Sequence, residues 1–179
     1  CEMLRTHDVQ KEKNMYEMKR KDREVKELSE ICGILDQCTV CTISLPTDEA
    51  DNQIPYVLPL TFGYEITDGK PVFYFHCARE GRKIDLIRKH GVAGFSVFPT
   101  EKIVYDKEIV CKSSCFFSSV IGTGTISVLD HVSEKCHALS VIMKQQVHDD
   151  ITFSEIQANA VTILKLTAEE FSGKRKPLS

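Results

Sequence analysis

The stretch Tyr56-Val57-Leu58-Pro59-Leu60-Thr61-Phe62-Gly63-Tyr64-Glu65-Ile66-Thr67-Asp68-Gly69-Lys70-Pro71-Val72-Phe73-Tyr74-Phe75-His76 decides the fold class. It reads as two β-strands, over 56–66 and 72–76, joined by a hairpin turn with Asp68 and Gly69 at its centre. Asp-Gly accepts the positive φ values that a tight antiparallel turn requires. Pro59 has no N–H for a ladder, so the first strand belongs at a sheet edge or carries a bulge, with some backbone groups left free.

Further β-prone runs lie on either side of this hairpin, at 39–45, 92–98, 116–129 and 160–166. Gly122 and Gly124 mark a bend or a close backbone approach inside the third of these. Helical spacing covers 23–36 through Val25, Leu28, Cys32 and Leu35, and 133–147 through Cys136, Leu139, Ile142 and Met143. A third helix, over 81–90, turns Ile84, Leu86 and Ile87 inward and Arg82, Lys83, Arg88 and Lys89 outward. Residues 99–114 read as an irregular connection. Six strands with few helices, arranged as hairpins rather than βαβ units, predict a mainly β protein with peripheral helices, a small antiparallel barrel.

A chain of 179 residues, 42% of them hydrophobic, predicts a single domain with its own core. We divide it into a polar N-terminal arm at 1–17, a domain at 18–174 and a tail at 175–179 within a basic stretch that begins at Gly173. A net charge of −3 excludes general binding to nucleic acid or to an anionic membrane, both of which need a basic face. No apolar run reaches the roughly 18–20 residues of a membrane span, and the N-terminus shows no apolar leader. The expectation is a soluble cytoplasmic protein. Its eight cysteines are then expected as free thiols, most of them packing as small hydrophobes.

Chemistry concentrates where the second hairpin strand ends: Phe75-His76-Cys77-Ala78-Arg79-Glu80-Gly81-Arg82-Lys83-Ile84-Asp85. A helix start presents unpaired N–H groups and positive dipole, and Arg82 and Lys83 add positive charge to it. Spacing alone allows a solvated basic helix face; a bound phosphate would balance the charge. His76 reads either as a hydrogen-bonded strand-end histidine or as a proton donor, since an imidazole ordinarily titrates near 6.5. Amides freed beside Pro59 could read the polar edge of a planar ring. No metal site is expected. Cys38 and Cys41 stand in a strand rather than at a helix start, and His131, Cys136, His137 and His148 lack a second ligand pair at zinc spacing.

Arg20-Lys21-Asp22-Arg23-Glu24, the run from Pro55 to Tyr64, and Tyr74-Phe75-His76 followed by Glu80-Gly81-Arg82-Lys83-Ile84-Asp85 together resemble the 5-nitroimidazole resistance proteins. These belong to the flavin-binding split barrels related to pyridoxamine 5′-phosphate oxidase. The resemblance spans about 18–174, and Ser118-Ser119-Val120-Ile121-Gly122-Thr123-Gly124 is similar to a later barrel strand of that family. It implies a six-stranded antiparallel split β-barrel and a homodimer with FMN, or alternatively FAD, bound between subunits. It further implies that Arg82 and Lys83 hold the flavin phosphate, with Gly81 giving backbone access. The ring would lie along Pro59, Leu60 and Thr61 beside Phe75, His76 and Cys77, while Ser119 and Val120 come from the partner. His76 would be the catalytic residue for reducing a nitro group of a small molecule to an amine. Cys77 departs from the family, where a small serine is usual. A flavin- or haem-binding protein without turnover is the alternative reading, and pyridoxamine-phosphate oxidation a third.

Overall fold

The computed structural model describes residues 18–48, 50, 53–99 and 102–176. Its strands are β1 (Glu24–Val25), β2 (Val40–Leu45), β3 (Tyr56–Thr61), β4 (Gly63–Thr67), β5 (Lys70–Cys77), β6 (Val92–Val97), β7 (Lys102–Val104), β8 (Ser114–Val128) and β9 (Thr162–Lys176). The helices are α1 (Leu28–Leu35), α2 (Arg82–His90), α3 (Val132–Val147) and α4 (Glu155–Asn159). The Asp-Gly hairpin forms as expected between β4 and β5. Asp68 and Gly69 have φ of 51° and 75°, the two positive values of a type I′ turn.

Every ladder is antiparallel, and the strand order is β3-β2-β6-β8-β9-β5-β4, with β1 on β9 and β7 on β8. The two ends of this order, β3 and β4, are consecutive in the chain and separated by Phe62 alone. The sheet therefore curls until both ends meet in one bent segment, which gives a split-barrel wall. The ladders count nine strands among the described residues, not the six expected. Stretch 56–66 breaks into two arms at Phe62, and β1 and β7 are short strands of two and three residues.

Inside the curl lie Ile43, Leu45, Phe62, Phe73, Phe75, Phe95, Val97 and Leu166, all at most 5% exposed. Phe73 and Phe95 have ring centroids 4.9 Å apart, an aromatic pair in the favourable tilted range. A second apolar cluster fills the outer face, where Val72, Tyr74 and Ile163 meet Ala138, Leu139 and Ile142 of α3. β5 is thus covered on both sides, which explains its unbroken Val-Phe-Tyr-Phe run. At Gly63 the α3 backbone presses directly on β4: a Cβ there would meet the Val141 carbonyl oxygen and lie 2.5 Å from Ile142 Cα.

Three sequence expectations shift. The helix predicted over 23–36 begins only at Leu28, because Lys21–Arg23 is a 3-10 turn and Glu24 and Val25 pair with Lys174 and Gly173. Residues 173–176, read as basic tail, are the end of β9. Glu169, Glu170 and Gly173 interrupt the apolar alternation, while the partner strand β8 supplies the missing hydrogen bonds. Gly122 and Gly124 flank a register shift at Thr123/Gly124, as expected, and a Cβ on Gly122 would lie 2.7 Å from the Phe95 ring. The arm at 1–17 and residues 177–179 lie outside the described residues. No described helix is long and apolar enough to cross a membrane. None of the seven described cysteines is in a disulfide; Cys38 and Cys41 are buried, Cys111 is exposed and the others lie between.

Candidate functional site

The bend at Phe62 opens the sheet beside the end of β5. β3 is an edge strand, laddered only to β2, with Pro59 opposite Thr42. The ladder of β4 on β5 stops at Gly63 and Tyr74. Phe75, His76 and Cys77 consequently pair only on the β9 side, with Leu164, Ile163 and Thr162. Extending the register of β4 past Phe62 would set Thr61 opposite His76 and Leu60 opposite Cys77. No ladder joins β3 to β5 there, although the two strands touch. The result is an interruption of the ladder between two touching strand edges, 59–61 of β3 and 75–77 of β5, hereafter the cleft.

Helix α2 starts at the mouth of this cleft. Its N-cap Gly81 has φ 118° and ψ 169°, a conformation reserved for glycine, and supplies no side-chain cap. Nothing lies within 4 Å of where its Cβ would be, so glycine serves the backbone turn here rather than packing. The Gly81 carbonyl accepts from the amides of Ile84 and Asp85 at 2.8 and 3.3 Å. The first-turn amides ahead of them have no acceptor within the helix. Asp85 also stands in the first turn, so the basic pair is partly balanced.

Two contacts tie this helix start to both strand edges. The Arg82 guanidinium carbon stands 5.0 Å from the Tyr56 ring centroid, at the beginning of β3. Lys83 is near enough to Cys77 to pull its thiol downward, against the stronger effect of burial, which pushes it up. The loop between is anchored as well, since Arg79 Nη2 donates to the Asn159 carbonyl at 2.5 Å. The site accordingly presents two cations at a helix start without a side-chain cap, beside two backbone edges. That donor set suits a phosphorylated ligand with a planar polar ring.

Strand alternation sorts the residues predicted for this site. His76 is exposed and shares the outward face of Tyr74, while Cys77 follows Phe73 and Phe75 toward the core. Pro59 and Thr61 are exposed, and Leu60 packs against the core. The Phe75 side chain is fully buried, which limits Phe75 to a backbone contribution. Ser119 and Val120, expected from a partner subunit, lie away from the cleft of their own chain. They lie on β8, three strands from the β3–β4 segment in either direction, on the far side of the curl. Val120 is fully buried and laddered on both sides, to Val97 and Gly173; Ser119 is half-exposed.

Sequence reasoning did not single out Tyr56 for the Arg82 contact, nor two glutamines of α3. Gln145 Nε2 donates to the carbonyls of Leu35 and Cys38 at 3.0 and 2.8 Å. Gln146 Nε2 donates to those of Thr39 and Phe62 at 2.9 and 2.7 Å. An amide pair half-buried on an otherwise amphipathic helix was the available signal. Two cavities lie away from the cleft. One, of about 240 Å³, sits between Tyr74, Glu134, His137 and Lys165; beside it Glu65 accepts from the Tyr74 hydroxyl at 2.7 Å and lies 2.9 Å from His137 Nε2. The other, of about 330 Å³, is on the outer sheet face by Val92, Gly94 and Thr123. Among the described residues no group of three or more His, Cys, Asp or Glu side chains is placed to hold a metal ion.

The family model for pyridoxamine 5′-phosphate oxidase matches residues 27–175. The structure is similar to that of a protein from Bacteroides thetaiotaomicron described as a candidate 5-nitroimidazole antibiotic resistance protein. The two are 26% identical, with a TM-score of 0.71, over 85% of this chain and 86% of that one. A flavocytochrome from Azotobacter vinelandii shares the fold at 17% identity and a TM-score of 0.68, over 90% of this chain and 72% of its own. So does an FAD- and haem-binding protein from Mycobacterium smegmatis, at 17% identity and a TM-score of 0.70, over 87% and 74%. No curated protein matches the sequence.

Proposed function

The chain belongs to the pyridoxamine 5′-phosphate oxidase family, and from that premise we propose that it is a flavin-dependent oxidoreductase that reduces a nitro group, or a similar acceptor, on a small molecule. The observation that carries this reading is the convergence at the cleft mouth: Arg82 over Tyr56 and Lys83 beside Cys77, at a helix start that Gly81 leaves uncapped. The similarity to the Bacteroides resistance protein supports the choice of a nitroimidazole as substrate class.

Arg82, Lys83 and the first-turn amides of α2 would hold the phosphate of FMN, or of FAD. The free edge at Pro59, Leu60 and Thr61 would take the polar edge of the ring, with the backbone of Phe75 and Cys77 across from it. When bound, the flavin supplies the electron-transfer chemistry that no side chain here can perform. His76, exposed at the strand end, orients the nitro group and delivers a proton to its oxygen. Burial holds the Cys77 thiol protonated beside Lys83, so this wall of the cleft keeps its positive charge.

The site is completed in this reading by a second copy of the chain, which would bring Ser119. The outward positions Val40, Val57, Val92, Phe98 and Ile121 are 43–57% exposed and carry no charge. An apolar surface of that kind marks a contact face. The test is anaerobic reduction of the FMN-loaded protein followed by addition of a nitroimidazole. With the nitroimidazole kept below one third of the reduced flavin, reoxidation with formation of the amine is expected, three reduced flavins at two electrons each being consumed per nitro group, which takes up six electrons and six protons and releases two waters. A bound flavin that no nitro compound reoxidises would support the non-catalytic reading instead.

A further inference from the structure

Phe62 poses a hydrogen-bonding problem that the barrel itself does not solve. It is the residue at which β3 becomes β4, its side chain is fully buried, and its backbone lies beyond both ladders. The amide reaches the Thr39 carbonyl at a long 3.3 Å. The carbonyl, turned away from both strands, takes its bond from Gln146 Nε2 at 2.7 Å, while the same nitrogen donates to Thr39 at 2.9 Å. A buried carbonyl without a donor is costly, so the bend depends on this one side-chain amide.

The surroundings make Gln146 more than a local satisfier. The α3 backbone is pressed on Gly63, so the helix cannot shift along β4 without a clash at Val141 and Ile142. Gln145, one residue earlier, makes a pair of bonds of the same type to the carbonyls of Leu35 and Cys38, the latter next to Thr39, and none to Phe62. Gln146 bridges the residue just before β2 to the bend, beside the long Phe62–Thr39 backbone bond. Its two bonds place it between the segment ahead of β2 and the bend from which the edge at 59–61 departs.

We infer that Gln146 is a positioning residue for the cleft: it holds the β3 edge at the distance from β5 that a planar ring needs, acting through the carbonyls of Thr39 and Phe62. This rests on the flavin reading above but is testable apart from it. A merely structural glutamine would stabilise the fold without governing the edge, and Gln145, with two bonds of the same type on the same helix, provides that comparison.

The experiment compares Gln146→Leu, Gln146→Glu and Gln145→Leu with the unaltered protein in two measurements. The first is amide hydrogen exchange across residues 60–63 in protein free of flavin. Both Gln146 variants should exchange at least about tenfold faster there, as expected when a buried carbonyl loses its donor, while Gln145→Leu stays within about threefold. The second is titration with FMN: the Gln146 variants should bind at least about tenfold more weakly and show displaced visible absorption bands, with Gln145→Leu matching the parent in both. Gln146→Glu retains the size of the side chain and sets a carboxylate oxygen against the Thr39 and Phe62 carbonyls in place of the donor, so both bonds are lost, and it decides the matter if Gln146→Leu does not fold. Equal effects at positions 145 and 146, or unchanged exchange in both Gln146 variants, overturn the inference. If the parent protein takes up no FMN, the proposed function fails, and the exchange measurement alone decides the role of Gln146.

Discussion

Replacing Arg82 and Lys83 together with alanine removes both cations from the start of α2 and leaves its backbone intact. Charge-assisted hydrogen bonds to a phosphate are worth about 1.5–3 kcal/mol each. Arg82 is exposed and Lys83 half-buried, so solvent screening places both at the low end, and together they contribute about 3 kcal/mol. That corresponds to a weakening of FMN binding by roughly 150-fold. Fluorescence titration with FMN and with riboflavin, at low and at high salt, separates the parts. The parent should prefer FMN to riboflavin and lose that preference as salt rises. The double variant should keep only the small preference for FMN that the first-turn amides of α2 supply, and most of its salt dependence should be gone. A variant that still binds FMN within threefold of the parent would place the phosphate elsewhere, and a parent indifferent to the phosphate would refute the reasoning altogether.

Gly81→Ala forces a Cβ into φ 118°, which costs about 1–3 kcal/mol of backbone strain although no atom is in the way; calorimetry should show a lowered Tm, and FMN titration a weaker site. Gly63→Ala drives a methyl group into the α3 backbone, an overpacking of about 2–3 kcal/mol that should lower Tm by roughly 5–10 °C. His76→Ala, at an exposed strand end, should leave FMN affinity within threefold and abolish nitro reduction; loss of FMN instead would make His76 part of the binding wall. Burial raises the thiols of Cys38 and Cys41 to about 11 and about 12, above the roughly 8.5 of a thiol in an unfolded chain. The folded state keeps these protons longer, so their contribution is complete below about pH 8.5 and fades as pH rises through 11 and 12. Urea midpoints should fall across that window, and less steeply in Cys41→Val.

The hairpin and its neighbours were legible because turn chemistry and apolar alternation agree there. Asp68-Gly69 sets the turn, Ile84, Leu86 and Ile87 set the buried face of α2, and Pro59 sets an edge. What escaped were features fixed by partners distant in sequence. Residues 173–176 look like a tail until β8 and β1 supply ladders for them. Phe62 looks like any strand residue until the side chain of Gln146, 84 positions away, replaces its ladder bond. For the candidate site, the Gly81-Arg82-Lys83 block was visible as a charge anomaly, and the structure adds Tyr56 and Cys77 as the groups these cations meet. The periodicity of two that identifies a strand also separates His76 from Cys77 and buries Phe75 and Val120. A run of adjacent candidates therefore cannot all face one ligand. Ser119 lies opposite the cleft because β8 is the strand most remote from β3 and β4 in the closed order.

The most direct test of a flavin site between β3, β5 and α2 is the visible absorption spectrum of the protein after saturation with FMN and passage over a desalting column. The account predicts the two visible bands of a flavin, at about one flavin per chain. Protein that emerges without visible absorption, or that instead carries the single intense Soret band of haem, would contradict it.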